Sequence, residues 1–132
     1  MNVVIDTSVL IAVLTDEPER QKLVHRTKGA DLIAPASVHW EIGNALAAML
    51  KRNRITLEQV RVVLKAYEEI PIRFLEIELQ TAMELAADHN LYAYDAYILA
   101  CARENHCSLI SLDKGLLRAA RRAGLSIMEV PA

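Results

Sequence analysis

Four acidic residues lie where a parallel α/β sheet would bring their side chains together. Asp6 closes one apolar run and Asp113 follows another, whereas Glu41 and Asp95 lie in segments of helical pattern. Ligands bind open parallel sheets at the carboxyl ends of the strands, so we expect Asp6 and Asp113 in one crevice. Carboxylates gathered without bases repel one another unless a hard divalent cation neutralises them. The pattern indicates a site for cation-assisted hydrolysis of a phosphodiester.

Each acid also has a structural explanation. Asp6 suits a helix N-cap, and Asp113 could belong to a turn that leads into a helix. Asp95 could complement a helix dipole in the first turn. Glu41 lies at the margin of an apolar stripe, where it is either solvated or an unpaired carboxylate that costs several kcal/mol. Three of the four acids stand at junctions that open a helix, and this recurrence favours the shared site.

Polar side chains next to these acids could support the same site. Thr7 and Ser8 follow Asp6 directly, and their hydroxyls could hold a metal-bound water or a phosphate oxygen. Asn44 stands one turn after Glu41 and could share its surroundings.

The elements that must position these residues alternate between strand and helix. The sequence predicts strands at 2–6, 31–34, 72–77, 108–112 and 126–130, and helices at 8–14, 17–28, 37–52, 56–69, 78–88, 94–104 and 114–123. Thr56 and Gln59 form a capping box, and Gly124 suits a helix C-terminus. Strict alternation implies parallel pairing with right-handed crossovers. We therefore expect an α/β/α sandwich, a five-stranded parallel sheet flanked by helices on both faces.

Bulk properties limit the remaining possibilities. A chain of 132 residues has the size of a single domain, here 1–132, and its net charge of −2 argues against wholesale electrostatic binding to nucleic acid. Cys101 and Cys107 are read as small buried side chains. The longest apolar stretch, 32–50, is interrupted by polar residues and predicts a core helix and not a membrane span. With no secretory leader at the start, we expect a cytoplasmic protein that does not bind membranes.

Two clusters of basic residues could provide local positive charge. Each cluster is either a solvated surface or part of a nucleic-acid groove, and both are reached from elements that carry the acids. The first ends the helix of Glu41, and the second lies on one face of the helix after Asp113. Their members are Lys51, Arg52 and Arg54 in the first, and Lys114, Arg118, Arg121 and Arg122 in the second.

Taken in order, these segments match a known family. The chain resembles the PIN-domain ribonucleases, and most closely the VapC toxins of prokaryotic toxin–antitoxin pairs. The resemblance spans about residues 3–130 and rests on four segments, Val4-Ile5-Asp6-Thr7-Ser8, Glu41-Ile42-Gly43-Asn44-Ala45, Tyr94-Asp95-Ala96 and Ser111-Leu112-Asp113. Many members carry threonine where Ser111 stands, and since the hydroxyl is retained we expect its hydrogen bond to survive.

The resemblance implies an endoribonuclease that depends on Mg²⁺ or Mn²⁺. Its catalytic and metal-binding residues would be Asp6, Glu41, Asp95 and Asp113, with Thr7 or Ser8 supporting the first acid. All four are oxygen donors, which favours Mg²⁺ or Mn²⁺ over zinc. Water activated by the cation would leave a 5′ phosphate and a 3′ hydroxyl.

The resemblance also implies partners. A small cognate antitoxin would silence the nuclease, and a homodimer is expected as well. The helices at 37–52 and 56–69 have wide apolar faces, and the part not packed on the sheet could hold an amphipathic helix of the antitoxin. These faces include Trp40, Leu46, Met49, Leu50, Leu57, Val60, Val63, Leu64 and Tyr67.

Other functions remain open at the level of sequence. A receiver domain is disfavoured because it would need a paired acid after the first strand, where Asp6 stands alone. A haloacid-dehalogenase-type phosphatase is disfavoured because it would need an aspartate where Ser8 stands. A non-catalytic interaction protein on the same fold is the alternative from another class. A PIN nuclease that processes RNA without acting as a toxin is a further alternative.

Overall fold

A parallel four-stranded sheet flanked by helices organises the chain, and the computed structural model describes residues 1–131. The strand order is β3-β2-β1-β4. The strands are β1 (Asn2–Ile5), β2 (Asp31–Pro35), β3 (Ile72–Leu75) and β4 (Ser108–Ile110). The helices are α1 (Thr7–Leu14), α2 (Arg20–Thr27), α3 (Ser37–Lys51), α4 (Leu57–Glu69), α5 (Leu79–His89), α6 (Ala93–Glu104) and α7 (Lys114–Arg122). The predicted parallel α/β class is confirmed.

The predicted fifth strand at 126–130 is wrong in extent. Only a single parallel bridge joins Ile127 to Leu109 of β4. The Leu109 amide donates to the Ser126 carbonyl at 3.1 Å, and the Met128 amide donates to the Leu109 carbonyl at 2.8 Å. Because β4 already ends at Ile110, it offers too few backbone groups for a longer ladder.

Several predicted boundaries shift by a few residues. The helix expected from residue 17 begins at Arg20, because the ring of Pro18 disfavours helical geometry at the residue before it.

The capping box is confirmed: Thr56 accepts from the Gln59 amide, and the Gln59 side chain accepts from the Thr56 amide. Gly124 has a φ of 76°, the left-handed conformation expected just after α7.

The core covers both faces of the sheet. Successive residues of a strand point to opposite faces, and Val3 and Val4 of β1 are both 0% exposed. Helix α6 packs against β1, β2 and β4, with an unbroken buried run from Ile98 to Ala102. Because α6 precedes the parallel strand β4, it runs against the strands, and its first turn lies at their carboxyl ends.

The strand order creates a switch point beside β1. The chain moves from β1 to β2 and β3 on one side, then returns to place β4 on the other side. Ligands of open α/β sheets bind where the order reverses, outside the carboxyl ends of the strands. Asp6 follows β1 directly, and Ser111 follows β4 directly, so both stand at this crevice.

The two cysteines are free thiols in the described residues. Cys101 is fully buried, and burial raises its pKa to about 12. A thiol that stays protonated at neutral pH is unreactive, which fits a packing role for Cys101. Within residues 1–131, the helices all fall short of the length and apolarity needed to span a membrane.

Candidate active site

Asp6 is a buried carboxylate held by two hydroxyls. It occupies the N-cap position of α1 but makes no side-chain cap, so the capping explanation does not account for its carboxylate. Its Oδ2 accepts hydrogen bonds from Ser8 Oγ at 2.7 Å and from Ser111 Oγ at 2.8 Å. Only 8% of Asp6 is exposed, and a buried carboxylate needs such donors. The two serines therefore fix the direction of this acid.

The same hydroxyls connect the ends of β1 and β4. The Leu112 amide donates to Ser8 Oγ at 3.0 Å, and the Asp113 amide donates to Ser111 Oγ at 2.9 Å. The two serine oxygens are 3.3 Å apart. Residues separated by more than 100 positions in the chain thus form one rigid polar network under Asp6.

Asp113 has both a structural role and a position at the site. Its Oδ1 accepts from the amides of Gly115 at 2.9 Å and Leu116 at 3.2 Å, which caps the N-terminus of α7. The structural explanation for Asp113 is therefore confirmed for this oxygen. In the described part of the chain, Oδ2 of Asp113 accepts no protein hydrogen bond.

Glu41 reaches the site from α3. It is half-buried, and Thr7 Oγ1 donates to its Oε2 at 2.7 Å. Desolvation raises the pKa of Glu41 above its usual value, the Thr7 hydrogen bond partly offsets this, and the charges of Asp6 and Asp95 raise it further. The pKa of Glu41 is therefore raised by the charges of two of the other three acids.

Asp95 reaches the site from the first turn of α6. It is half-buried, and no protein hydrogen bond to its carboxylate is present within residues 1–131. Desolvation raises the pKa of Asp95, and the charges of Asp113 and Asp6 raise it further. The electrostatic couplings of Glu41 and Asp95 together link all four predicted acids into one cluster.

The donor chemistry of this cluster fits a hard divalent cation. Ion pairs in the described residues use other acids, Asp31, Asp16, Glu58 and Glu129, so none of the four site carboxylates has a cationic partner there. Oxygen-only donors with net negative charge suit Mg²⁺ or Mn²⁺. Three acids have one oxygen engaged by the protein and the other without a hydrogen bond in residues 1–131: Asp6 through Oδ2, Glu41 through Oε2 and Asp113 through Oδ1.

The four acids are not drawn together tightly. Across residues 1–131, no group of three or more His, Cys, Asp or Glu side chains has the spacing of a formed metal site. Mutual repulsion separates carboxylates that lack a counter-ion. The donors fit a hard divalent cation in kind.

Asn44 and the predicted basic residues lie on exposed surfaces, whereas the supporting residue Ser111 is buried and Thr7 and Ser8 are partly buried. Asn44 is exposed on α3 and lines a groove of about 440 Å³ with Glu41 and Thr7. Of the seven basic residues predicted to contact RNA, all of them in the described part of the chain, only Arg121 forms an ion pair, with Glu129 at 3.3 Å. The exposed basic residues are Lys51, Arg52, Arg54, Lys114, Arg118, Arg121 and Arg122.

Sequence reasoning missed the aromatic walls of this groove. Trp40 and Tyr94 line it together with Glu41, although the sequence assigned Trp40 to an apolar helix face. The signal was present in the sequence, since Trp40 immediately precedes Glu41 and Tyr94 immediately precedes Asp95.

Comparison with known proteins places this fold in one class. The sequence model of the PIN domain matches residues 3–122. No curated protein matches the chain in sequence.

Solved structures share the fold at low sequence identity. PAE2754 from Pyrobaculum aerophilum has a TM-score of 0.73 at 21% identity, over 96% of this chain and 83% of that one. FitAcB from Neisseria gonorrhoeae has a TM-score of 0.71 at 19% identity, over 98% and 97%. A toxin–antitoxin complex from Klebsiella pneumoniae has a TM-score of 0.57 at 18% identity, over 84% and 86%.

The fold is a parallel α/β sheet with an acidic cluster at its switch point. The family match covers nearly the whole of this arrangement, from β1 to the end of α7. The chain belongs to the PIN domain family.

Proposed function

We propose that this protein is a VapC-like toxin, an endoribonuclease that requires Mg²⁺ or Mn²⁺. The observation that carries the proposal is the cluster of four carboxylates without a cationic partner at the switch point of a PIN fold. Such a cluster attracts a divalent cation and, through it, a phosphodiester. The toxin assignment draws support from the resemblance of the sequence to VapC toxins and from the likeness of fold to a toxin–antitoxin complex.

Under this proposal, four acids would bind the cation, and neighbouring hydroxyls orient two of those acids. Asp6, Glu41, Asp95 and Asp113 would hold the cation. A bound divalent cation supplies Lewis-acid activation of water and stabilises charge on the phosphate. Ser8 and Ser111 orient Asp6 through its Oδ2, and Thr7 orients Glu41 through its Oε2. Products with a 5′ phosphate and a 3′ hydroxyl are expected when water attacks the phosphorus in line with the 3′ oxygen, which leaves and takes up a proton.

Exposed basic residues provide a route for the RNA backbone. Lys51, Arg52 and Arg54 end α3, and Lys114 and Arg118 project from α7 beside Asp113. Although the net charge is −2, these two local clusters of positive charge favour contact with phosphates of the RNA. We expect single-stranded or loop RNA, because side chains reach the base edges of A-form duplexes poorly.

The proposed antitoxin surface lies on α4 and its neighbours. Leu46, Val60 and Val63 of the predicted apolar faces are buried in the core, whereas Leu57 and Leu64 stay exposed. A cavity of about 390 Å³ lies between α1, α3 and α4. Its lining includes Leu14, Met49, Ile55, Val62 and Val63. An amphipathic helix of the antitoxin could bury these apolar groups. We further propose that the protein is a homodimer and acts in the cytoplasm.

Cleavage of single-stranded RNA by the purified protein tests the nuclease. We expect cleavage in millimolar Mg²⁺ or Mn²⁺, none in EDTA and little recovery with zinc. Asp95→Asn should abolish cleavage, whereas Asp88→Asn, an exposed acid on α5, should leave it unchanged. Products that carry 2′,3′-cyclic phosphates would contradict the mechanism, because they arise when the 2′ hydroxyl of the RNA attacks.

Co-expression with the product of the neighbouring small open reading frame tests the role of toxin. We expect a stable complex on size exclusion in which cleavage is suppressed. Full cleavage activity in the presence of that product, without a complex, would favour an RNA-processing nuclease. Loss of cleavage in every preparation would favour a non-catalytic interaction protein.

A further inference from the structure

Two aromatic rings form walls of the groove beside the acidic cluster. The groove has a volume of about 440 Å³ and is lined by Thr7, Trp40, Glu41, Asn44, Ala45 and Tyr94. It joins the start of α3 to the start of α6, the two helices that supply Glu41 and Asp95. A volume of this size lies in the range of sites for small organic groups.

Both rings remain open to solvent. Trp40 is 74% exposed and Tyr94 is 55% exposed. Trp40 touches the ring of His39 edge-on, with centroids 4.9 Å apart, and Tyr94 touches Tyr97 edge-on at 6.0 Å. Neither contact covers the faces of the rings fully, so apolar area that the core leaves uncovered remains available for stacking.

The exposed face of α3 extends this groove toward positive charge. Trp40, Asn44, Ala47 and Lys51 are separated by four, three and four residues and are all exposed. At 1.5 Å per residue, Lys51 lies about 16 Å along the helix axis from Trp40. Between the two ends the face is flat, since Ala47 is small. Lys51 attracts backbone phosphates at one end, and an uncharged base is tolerated in the groove beside the acids at the other.

We propose that Trp40 and Tyr94 form a base-binding subsite, on which bases of single-stranded RNA stack next to the phosphodiester that is cut. This inference rests on the proposed function. Stacking on aromatic rings accepts every base because each base has a π face, so the subsite selects unpaired strands and not a sequence. A duplex, whose bases are already stacked and paired, cannot use it. The polar groups of Glu41 and Asn44 in the same groove argue against a protein interface, which would desolvate them.

Trp40 is the only tryptophan of the chain and reports on its own surroundings. Its emission is titrated in an Asp6→Asn background, which prevents cleavage and leaves the groove intact because Asp6 does not line it. The probes are a mixed-sequence single-stranded RNA and an abasic ribose-phosphate chain of equal length. We expect RNA to quench the emission and the abasic chain to leave it unchanged. Equal quenching by both chains would show that phosphates alone occupy the groove and would overturn the inference.

Substitution of each aromatic residue, followed by measurement of RNA affinity, provides a second test of the subsite. Stacking worth about 1–3 kcal/mol per base corresponds to an affinity loss of roughly 5- to 150-fold for Trp40→Ala or Tyr94→Ala. Trp40→Phe and Tyr94→Phe should retain most of the affinity, since a ring remains. Tyr92→Ala is the matched control, because Tyr92 is 89% exposed on the same segment and does not line the groove.

The two proposals fail in different ways. If the wild-type protein cleaves RNA whose binding leaves Trp40 emission unchanged, the subsite is refuted and the nuclease stands. If RNA neither binds nor is cleaved, both are refuted. If Trp40→Ala converts a dimer into a monomer and leaves RNA affinity unchanged, the rings belong to a contact between two copies and the subsite is again refuted.

Discussion

The two sides of the acidic cluster are built differently. The strand side consists of Asp6 and Asp113, which follow β1 and β4 and accept two protein hydrogen bonds each. The helix side consists of Glu41 and Asp95, on α3 and α6. Glu41 accepts one hydrogen bond, from Thr7, and within residues 1–131 Asp95 accepts none.

Because of this difference, the carboxylates of the strand side are preorganised by hydrogen bonds, whereas those of the helix side are held less firmly. On the strand side, hydroxyls and amides set the direction of each carboxylate before any cation arrives. On the helix side, desolvation raises the pKa of both acids, and neighbouring carboxylates raise it further. We therefore expect the helix side to respond to protons and to a bound cation, and the strand side to provide a fixed frame.

Loss of the central strand-side carboxylate should have the largest effect. Asp6→Asn keeps the shape and removes a negative charge that the proposed cation would need. Several kcal/mol of transition-state stabilisation correspond to a fall in kcat of about a thousandfold or more. Cleavage assays should show this fall, with Asp88→Asn as the charge-matched control. A fall of only a few-fold would mean that the helix side carries the metal.

Removal of an orienting hydroxyl should have the next largest effect. Ser111→Ala deletes a donor to Asp6 and the acceptor of the Asp113 amide. We expect cleavage or metal affinity to fall by about 10- to 100-fold, as for other outer partners of metal ligands. Ser111→Thr, which keeps the hydroxyl, should recover most of the activity, and Ser126→Ala on the exposed tail should have no effect. If Ser111→Ala were fully active, the strand side would not need its hydrogen bonds.

The helix side should respond through pH. The Thr7 hydrogen bond lowers the pKa of Glu41, so Thr7→Val should raise that pKa further. The acid limb of the pH–rate profile should move to higher pH, and the loss of activity should grow as the pH is lowered. Thr7→Ser should retain the wild-type profile. A drop in activity that is equal at every pH would indicate that Thr7 acts otherwise than on the proton affinity of Glu41.

The smallest expected effect concerns stability without metal. The raised pKa values mean that folded Glu41 and Asp95 keep protons which the unfolded chain releases near 4.5 and 3.8. The folded state binds more protons in this window, so stability falls as pH rises from about 4 through the raised pKa values. In EDTA, Glu41→Gln and Asp95→Asn should weaken this fall and melt no lower than wild type at pH 7. Melting curves in EDTA between pH 4 and pH 7 measure this fall in stability. If both variants had the same pH profile as wild type, Glu41 and Asp95 would not differ from the strand-side acids in proton affinity.

The sequence predicted most elements because apolar periodicity depends on local pattern. Strands such as 31–34 and helices such as 94–104 needed no knowledge of their partners. The fifth strand failed because its length depends on β4, which ends at Ile110. The length of the neighbouring strand cannot be read from the residues of segment 126–130 alone.

The site was predicted in composition and not in detail. The four acids of the proposed site were named from their order and their junction positions, and their role as ligands stays a prediction. The bond from Ser111 to Asp6 crosses 105 positions, and only the fold shows it. Trp40 was read as part of an apolar helix face, since periodicity does not reveal which exposed face borders a groove.

Binding of Mn²⁺, followed by electron paramagnetic resonance in wild type and variants, tests the central claim most directly. The account predicts that wild type binds Mn²⁺, that Asp6→Asn loses this binding and that Asp95→Asn weakens it. Asp88→Asn should bind as wild type does. Equal Mn²⁺ binding by all four proteins, or none by wild type, would contradict a metal centre built from the four carboxylates.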